Sequence, residues 1–511
     1  MKTKTRSGAT LVAAGILLSR LAGLVREHYF SRYFGLTAVA DALGAAIRIP
    51  NFLQNLFGEG VLSASFIPVY ASLLARGKRE EAGRVAGAIF AILALFTSLL
   101  VALGVLATPL MIDLIATGLD PVRRELAIPL VRIFFPSAGL LVMSAWCLGI
   151  LNSHRKFFLS YSAPVLWNLV MIAALLGFGG RVDMVSLATV FAWAAVLGSA
   201  VQFLVQVPFV VGLVPSLRVL FDTELESVRT VVRNFVPVFV SRGVVQLSAF
   251  VDTWLASYLP YGALAALLKA QMLYLLPVSL FGMSVSASEL PEMSSATGAD
   301  REVAEFLVKR LTIGLRRISL FVIPSVIAFI ALGDLVAGAI YQGGRFTPLD
   351  TRYVWTILAG SGIGLLASTQ GRLYSSAFYA LKDTRTPLKF AIIRVTLTTV
   401  LGYLCALPLP HLLGIDHKWG AAGLTASAGV SGWIEFLLLR RALSKRIGTA
   451  HVGVAWMARL WGSAIAAAAI AWAIKLHWPV HDPRLAAAAT LIPFGAIYLL
   501  LADPRQFRRL R

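Results

Sequence analysis

Residues 19–68, SRLAGLVREHYFSRYFGLTAVADALGAAIRIPNFLQNLFGEGVLSASFIP, read as two consecutive membrane-spanning helices that carry charge where a lipid-facing helix cannot. Arg20, Arg26, Glu27, Asp41, Arg48 and Glu59 all fall within or beside apolar runs. Each Arg or Asp at a bilayer centre costs roughly 2.5–3.5 kcal/mol on insertion scales, so the set together costs on the order of 10 kcal/mol. Such a set must face water, a partner charge or a substrate. For Arg20 or Glu27 taken alone, snorkelling toward an interface is an equal alternative.

Spacing sharpens the reading. Ser19, Gly23 and Arg26 share one helical face, and Asp41, Ala45 and Arg48 repeat the pattern on the second helix. Pro50 removes a backbone donor, and Gly58 and Gly60 follow, so the second helix is expected to bend within the membrane. A charged, glycine-punctuated helix pair is how a polar cavity is built inside a bundle.

Composition fits this class. The 511 residues are 58% hydrophobic and only 14% charged, with a mean hydropathy of +0.78, whereas soluble domains carry about 25% charge. The fold expected is an all-α polytopic membrane protein. Cys147 and Cys405 both sit in apolar runs, and the histidines are scattered without metal-ligand spacing, so no disulfide, metal or cofactor is expected. The formal charge of +21 does not point to nucleic acid, because the basic residues are dispersed among hydrophobic segments.

Apolar runs long enough to cross, about 20 residues each, occur near 9–33, 37–75, 82–116, 124–153, 159–179, 183–214, 231–258, 262–288, 313–341, 349–381, 386–408, 419–443, 451–475 and 484–502, which makes fourteen. The basic N-terminus MKTKTR reads as a retained cytoplasmic anchor. With that assignment, 28 Lys and Arg fall in inner segments, 9 in outer segments and 9 within spans. This is the positive-inside bias, and it places both termini in the cytoplasm. Segments 216–233 and 299–312 mix apolar and charged residues at helical spacing, as surface amphipathic helices or solvated extensions of the next span. GILNSHRKFFLSYSAPVLWNLV (149–170) and SAFYALKDTRTPLKFAIIRV (376–395) occupy corresponding helix–basic turn–helix positions 227 residues apart, a hint of parallel duplication.

SRLAGLVRE (19–27), ADALGAAIRIPNFLQNLFGEGVLSASFIPVY (40–70), GILNS…APVLWN (149–168), LPVSLFGMSVSASELPEMS (276–294) and FYALKDTRTPLK (378–389) resemble the lipid II flippase family MurJ, also called MviN, of the multidrug/oligosaccharidyl-lipid/polysaccharide exporter superfamily. The resemblance implies two six-helix lobes around a central cavity, here 1–217 and 218–446, and two further helices in 447–511 forming a lipid-tail groove. It implies translocation of an undecaprenyl-pyrophosphate-linked glycopeptide, lipid II, from the inner to the outer leaflet of the bacterial cytoplasmic membrane, with no enzymatic step. Membrane lipids are implied partners, and the cell-wall synthesis machinery is left open as another.

The family's cavity arginines match Arg20 and Arg26, its acidic position matches Asp41 and a basic one matches Arg48. Two further family arginines fall on Gln54 and Met272, where this chain has none. Lys269 or Arg242 is a candidate to supply the missing charge, with an interfacial snorkelling lysine the competing reading for Lys269. Glu27, Glu59 and Asp252 are candidate gate residues or counter-ions, as are Glu289 and Glu292, and ordinary pairing is the simpler role for Asp252. An exporter of another polyprenyl-linked oligosaccharide or of a drug is the alternative function. The Arg20, Arg26 and Arg48 set argues against a drug exporter, and the lack of a DDxxD-like pair or His cluster argues against an intramembrane enzyme.

Overall fold

In hydrocarbon each backbone N–H and C=O must be satisfied within its own segment, and the apolar runs accordingly form helices. The computed structural model describes residues 2–295, 299–478 and 480–502, with side chains from residue 15 onward except 59–60, 237–238 and 240–249. Among the described residues there is no strand, only an isolated bridge between Gly343 and Phe346. Two compact units divide at Met1–Ser257 and Tyr258–Arg511.

The first unit contains α1 (Lys2–Phe34), α2 (Ala38–Phe57), α3 (Glu59–Ala75), α4 (Arg79–Leu106), α5 (Thr108–Ile115), α6 (Pro121–Ser153), α7 (Phe157–Phe178), α8 (Met184–Leu213) and α9 (Glu226–Ser257). α9 packs on α2, α3 and α4, so compactness assigns it to the first unit although it lies beyond residue 217. The second unit contains α10 (Ala263–Pro277), a π-helical turn Val278–Met283, α11 (Ser284–Ser294), α12 (Asp300–Ala331), α13 (Gly333–Tyr341) and α14 (Pro348–Ala380). It continues with α15 (Arg385–Ala406), α16 (Pro408–Leu412), α17 (Gly420–Ile447), α18 (Val454–His477) and α19 (Pro483–Leu501).

Among the described residues, eleven segments are long and apolar enough to cross, with α2–α3 joined as one span and α10–α11 as another. α1, α9 and α14, of 32 or 33 residues each, are also long enough at about 1.5 Å per residue. The expected fourteen spans therefore require that these three cross as well.

Local chemistry sets the ends. Thr37 caps α2 by accepting from the Ala40 N–H, Asp183 and Asp482 cap α8 and α19, and Thr347 with Asp350 forms a capping box on α14. α6 and α14 both end in a left-handed residue, Arg155 and Lys382, each at φ 59°, and these are the only non-glycine residues of positive φ among those described. In both turns the next N–H reaches back to close the helix, Lys156 to Leu151 O at 2.8 Å and Asp383 to Phe378 O at 2.9 Å. The two turns are the basic turns expected from the duplication.

α2 runs through Pro50 and breaks at Gly58, one of the glycines that follow that proline in the expected bend; a Cβ there would lie 2.3 Å from the Gln54 carbonyl oxygen. Of the 216–233 stretch, 226–233 is the start of α9, a solvated extension of the next helix, but residues 217–222 are not helical, and the expectation is corrected there. They cross α4 as extended chain over Gly87, where a Cβ would sit 1.8 Å from Arg218 O, and Gly83 makes room beside Ser216. The 300–312 stretch is the first part of α12, a solvated extension of a span. In the second unit, Gly364 of α14 faces Gly429 of α17 so closely that a Cβ would lie 2.4 Å from the Gly429 Cα. Small residues at such a contact give membrane helices their close packing.

Candidate functional site

On α1, Arg26 donates from Nη2 to Glu27 Oε1 at 2.7 Å, and its guanidinium lies 5.0 Å from the Trp167 ring centroid on α7. Its Nε is buried with no hydrogen-bond partner. Arg48 on α2 has the same property at Nη1, and Asp252 on α9 is the carboxylate whose charge acts on it. Buried polar groups in folded proteins are nearly always paired, so an orphaned guanidinium N–H marks a place where an acceptor belongs. Arg20, six residues before Arg26, is exposed. Arg242 and Glu59 lie outside the residues whose side chains are described.

Asp41 is fully buried, and its Oδ2 lies 3.3 Å from Nη1 of Arg123, itself 4% exposed. Arg123 also donates to Asp120 Oδ1 at 2.5 Å and to the carbonyl of Ser257 at 3.3 Å. Asp41 is thus engaged in a four-element network joining α2, α6, the 116–120 connection and the end of α9. Arg123, near the start of α6, is a residue that sequence reasoning missed.

Gln54 has a different setting. With Asn55, Ser63, Ser144, Ser160 and Gln202 it lines a cavity of about 550 Å³ among α2, α3, α6, α7 and α8. No charged side chain is found among its described lining residues. Ser144 Oγ accepts from Gln202 Nε2 at 2.9 Å and from Gln206 Nε2 at 2.6 Å. Gln202 is only 7% exposed, and its amide oxygen has no partner. Sequence reasoning missed Gln202 and Gln206; their four-residue spacing within a mostly apolar α8 is the signal that could have found them.

In the second unit Lys269 is 3% exposed, its ammonium 4.9 Å from the Tyr341 ring and 5.7 Å from the Phe346 ring. It is held by aromatic faces and does not snorkel to an interface. Glu289 is buried between Arg310 at 2.8 Å and Arg317 at 3.2 Å, an ordinary pairing, and Glu292 adds a longer contact to Arg310 at 3.6 Å. Arg394 pairs with Glu435 at 3.0 Å. Among the described residues no group of three or more His, Cys, Asp or Glu is placed to hold a metal ion.

The family profile described as "Lipid II flippase MurJ" matches residues 30–481. "Lipid II flippase MurJ" of Burkholderia cenocepacia is 32% identical over 508 residues, covering 96% of this chain and 95% of the relative. "Probable lipid II flippase MurJ" of Rickettsia prowazekii is 29% identical over 440 residues, 84% of this chain and 83% of the relative. Among solved structures, "Lipid II flippase MurJ, inward closed conformation" matches with a TM-score of 0.79 at 23% identity, covering 98% of this chain and all of that one. An inward-facing multidrug resistance MATE family transporter of the MOP superfamily matches with a TM-score of 0.67 at 17% identity over 87% of this chain, a likeness of fold.

Proposed function

The chain belongs to the MurJ family of lipid II flippases, and on that premise we propose which of its residues carry the lipid. It is a multi-pass protein of the bacterial inner membrane that moves lipid II across it. The difficulty is the head. Taking a diphosphate through about 30 Å of hydrocarbon costs tens of kcal/mol by ion desolvation. Guanidinium groups offset this with charge-assisted, bidentate contacts to phosphate oxygens.

In this reading Arg20, Arg26 and Arg48 hold the diphosphate. Its carrying observation is that Arg26 Nε and Arg48 Nη1 are buried donors without acceptors, on consecutive helices of an apolar chain. Glu27 and Asp252 neutralise these arginines while no anion is bound. The polyprenyl tail stays in the bilayer, with 447–511 as its groove, and the cationic site is exposed alternately to the two faces. Both termini are cytoplasmic, so a negative-inside potential of 100 mV favours outward movement by roughly 2.3 kcal/mol per negative charge. No covalent change is made in the lipid.

Reconstitution in liposomes tests this. Lipid II is placed in one leaflet, and its appearance in the other is followed with a membrane-impermeant reagent. Arg26→Ala is expected to slow translocation at least about tenfold, since a hydrogen bond to a charged group is worth about 1.5–3 kcal/mol. Arg26→Lys, which keeps the charge without the fork, should recover only part of the rate. Wild-type translocation by a folded Arg26→Ala protein would overturn the arginine assignment.

A further inference from the structure

A diphosphate needs cations, and the cavity around Gln54 and Gln202 has none among its described lining residues. What it offers is neutral. Ser144 Oγ is already acceptor to two amide N–H groups, from Gln202 at 2.9 Å and Gln206 at 2.6 Å, so both its acceptor positions are filled and its O–H is left to donate. Gln206 Nε2 also donates to the Gln202 backbone carbonyl at 2.8 Å, and its amide oxygen, like that of Gln202, is buried without a partner. Gln202 is 7% exposed and keeps an unpartnered amide oxygen, an acceptor that costs free energy until a donor meets it. A donor and an acceptor side by side in a wall of carboxamides and hydroxyls match amides and sugar hydroxyls. The volume, about 550 Å³, falls in the roughly 300–1,000 Å³ range of small-molecule sites.

We propose that this cavity binds the uncharged, amide- and hydroxyl-bearing part of the lipid-linked head, apart from the arginines that take its diphosphate. The assignment rests on the flippase reading and adds to it a specificity subsite. Its ligand chemistry has two sources, the N-acetylated sugars and the peptide amides.

The test uses the full chain in lipid nanodiscs with three probes: lipid II, undecaprenyl diphosphate, and an undecaprenyl diphosphate bearing the disaccharide without peptide. Wild type binds lipid II more tightly than undecaprenyl diphosphate. Gln202→Leu and Ser144→Ala each lower lipid II affinity about tenfold and leave undecaprenyl diphosphate affinity unchanged, which also shows that the variants are folded. Ser63→Ala, on α3 and outside the Gln–Ser network, shows the same selectivity and serves if the α6–α8 variants fail to fold. A loss shared by the peptide-free probe identifies the sugars as the source, and a loss confined to lipid II identifies the peptide. Equal loss for lipid II and undecaprenyl diphosphate, or no loss for either, overturns the subsite. Failure of the wild type to move lipid II sinks the flippase reading, whereas normal movement without selective loss sinks only the subsite.

Discussion

Asp41 and Arg123 meet at 3.3 Å with both side chains almost wholly excluded from solvent. A buried pair of this kind adds little over an apolar replacement, but removing one partner leaves an uncompensated charge and costs about 3–5 kcal/mol. Asp41→Ala is therefore expected to lower stability by about that amount, measured by thermal or denaturant unfolding in detergent. The double variant Asp41→Ala/Arg123→Leu should recover part of the loss. Lipid II affinity of the folded Asp41→Ala protein should stay near wild type; a selective loss of affinity with stability unchanged would return Asp41 to the substrate site. Asp41 was legible in sequence because a carboxylate in an apolar run needs a reason. Its partner was not, because it lies 82 residues away in a stretch that reads as a connection. Lys269 teaches the same lesson: its aromatic neighbours Tyr341 and Phe346 come from later elements, and local sequence leaves snorkelling as the natural alternative.

At the scale of elements, apolar length determined where helices form, while single residues determined where they stop. α2 continues through Pro50, because a proline removes one hydrogen bond and leaves the rest of the helix to continue. It stops at Gly58, which turns extended while its N–H still reaches the Gln54 carbonyl at 2.7 Å, so that a Cβ there would press on that oxygen. The 217–222 stretch has helical periodicity, yet its place is a cleft cut by Gly83 and Gly87, four residues apart on α4. The basic turns after α6 and α14 were legible in position but not in geometry. Arg155 and Lys382 sit in the left-handed region, where a side chain costs roughly 1–2 kcal/mol. Glycine removes that cost but adds unfolded-state entropy. Arg155→Gly and Lys382→Gly are each expected to raise stability by a net of about 0.5–1 kcal/mol, read as a higher unfolding midpoint. A lowered midpoint for both would show that the basic side chains make contacts worth more than the strain.

For the whole molecule, the 28-to-9 division of basic residues and the fourteen crossings stand or fall together. Each crossing inverts the side of every loop after it, so one helix that fails to cross would scramble the bias beyond that point. The helices at issue are α1, α9 and α14, which lie outside the eleven apolar spans found among the described residues. Exposed positions Lys156 and Lys445 are expected on the cytoplasmic side, and Arg181 and Lys418 on the other. Six crossings separate Arg181 from Lys418, α9 and α14 among them, so an even number must hold for the two to share a face. In a background with Cys147 and Cys405 replaced, single cysteines at these four positions can be challenged with an impermeant maleimide in right-side-out vesicles. Labelling is expected at 181 and 418 and protection at 156 and 445 until the membrane is permeabilised. The reverse pattern would invert the orientation while keeping the count. Labelling at 181 with protection at 418 would show an odd number of crossings between them, and the fourteen-span topology would fall.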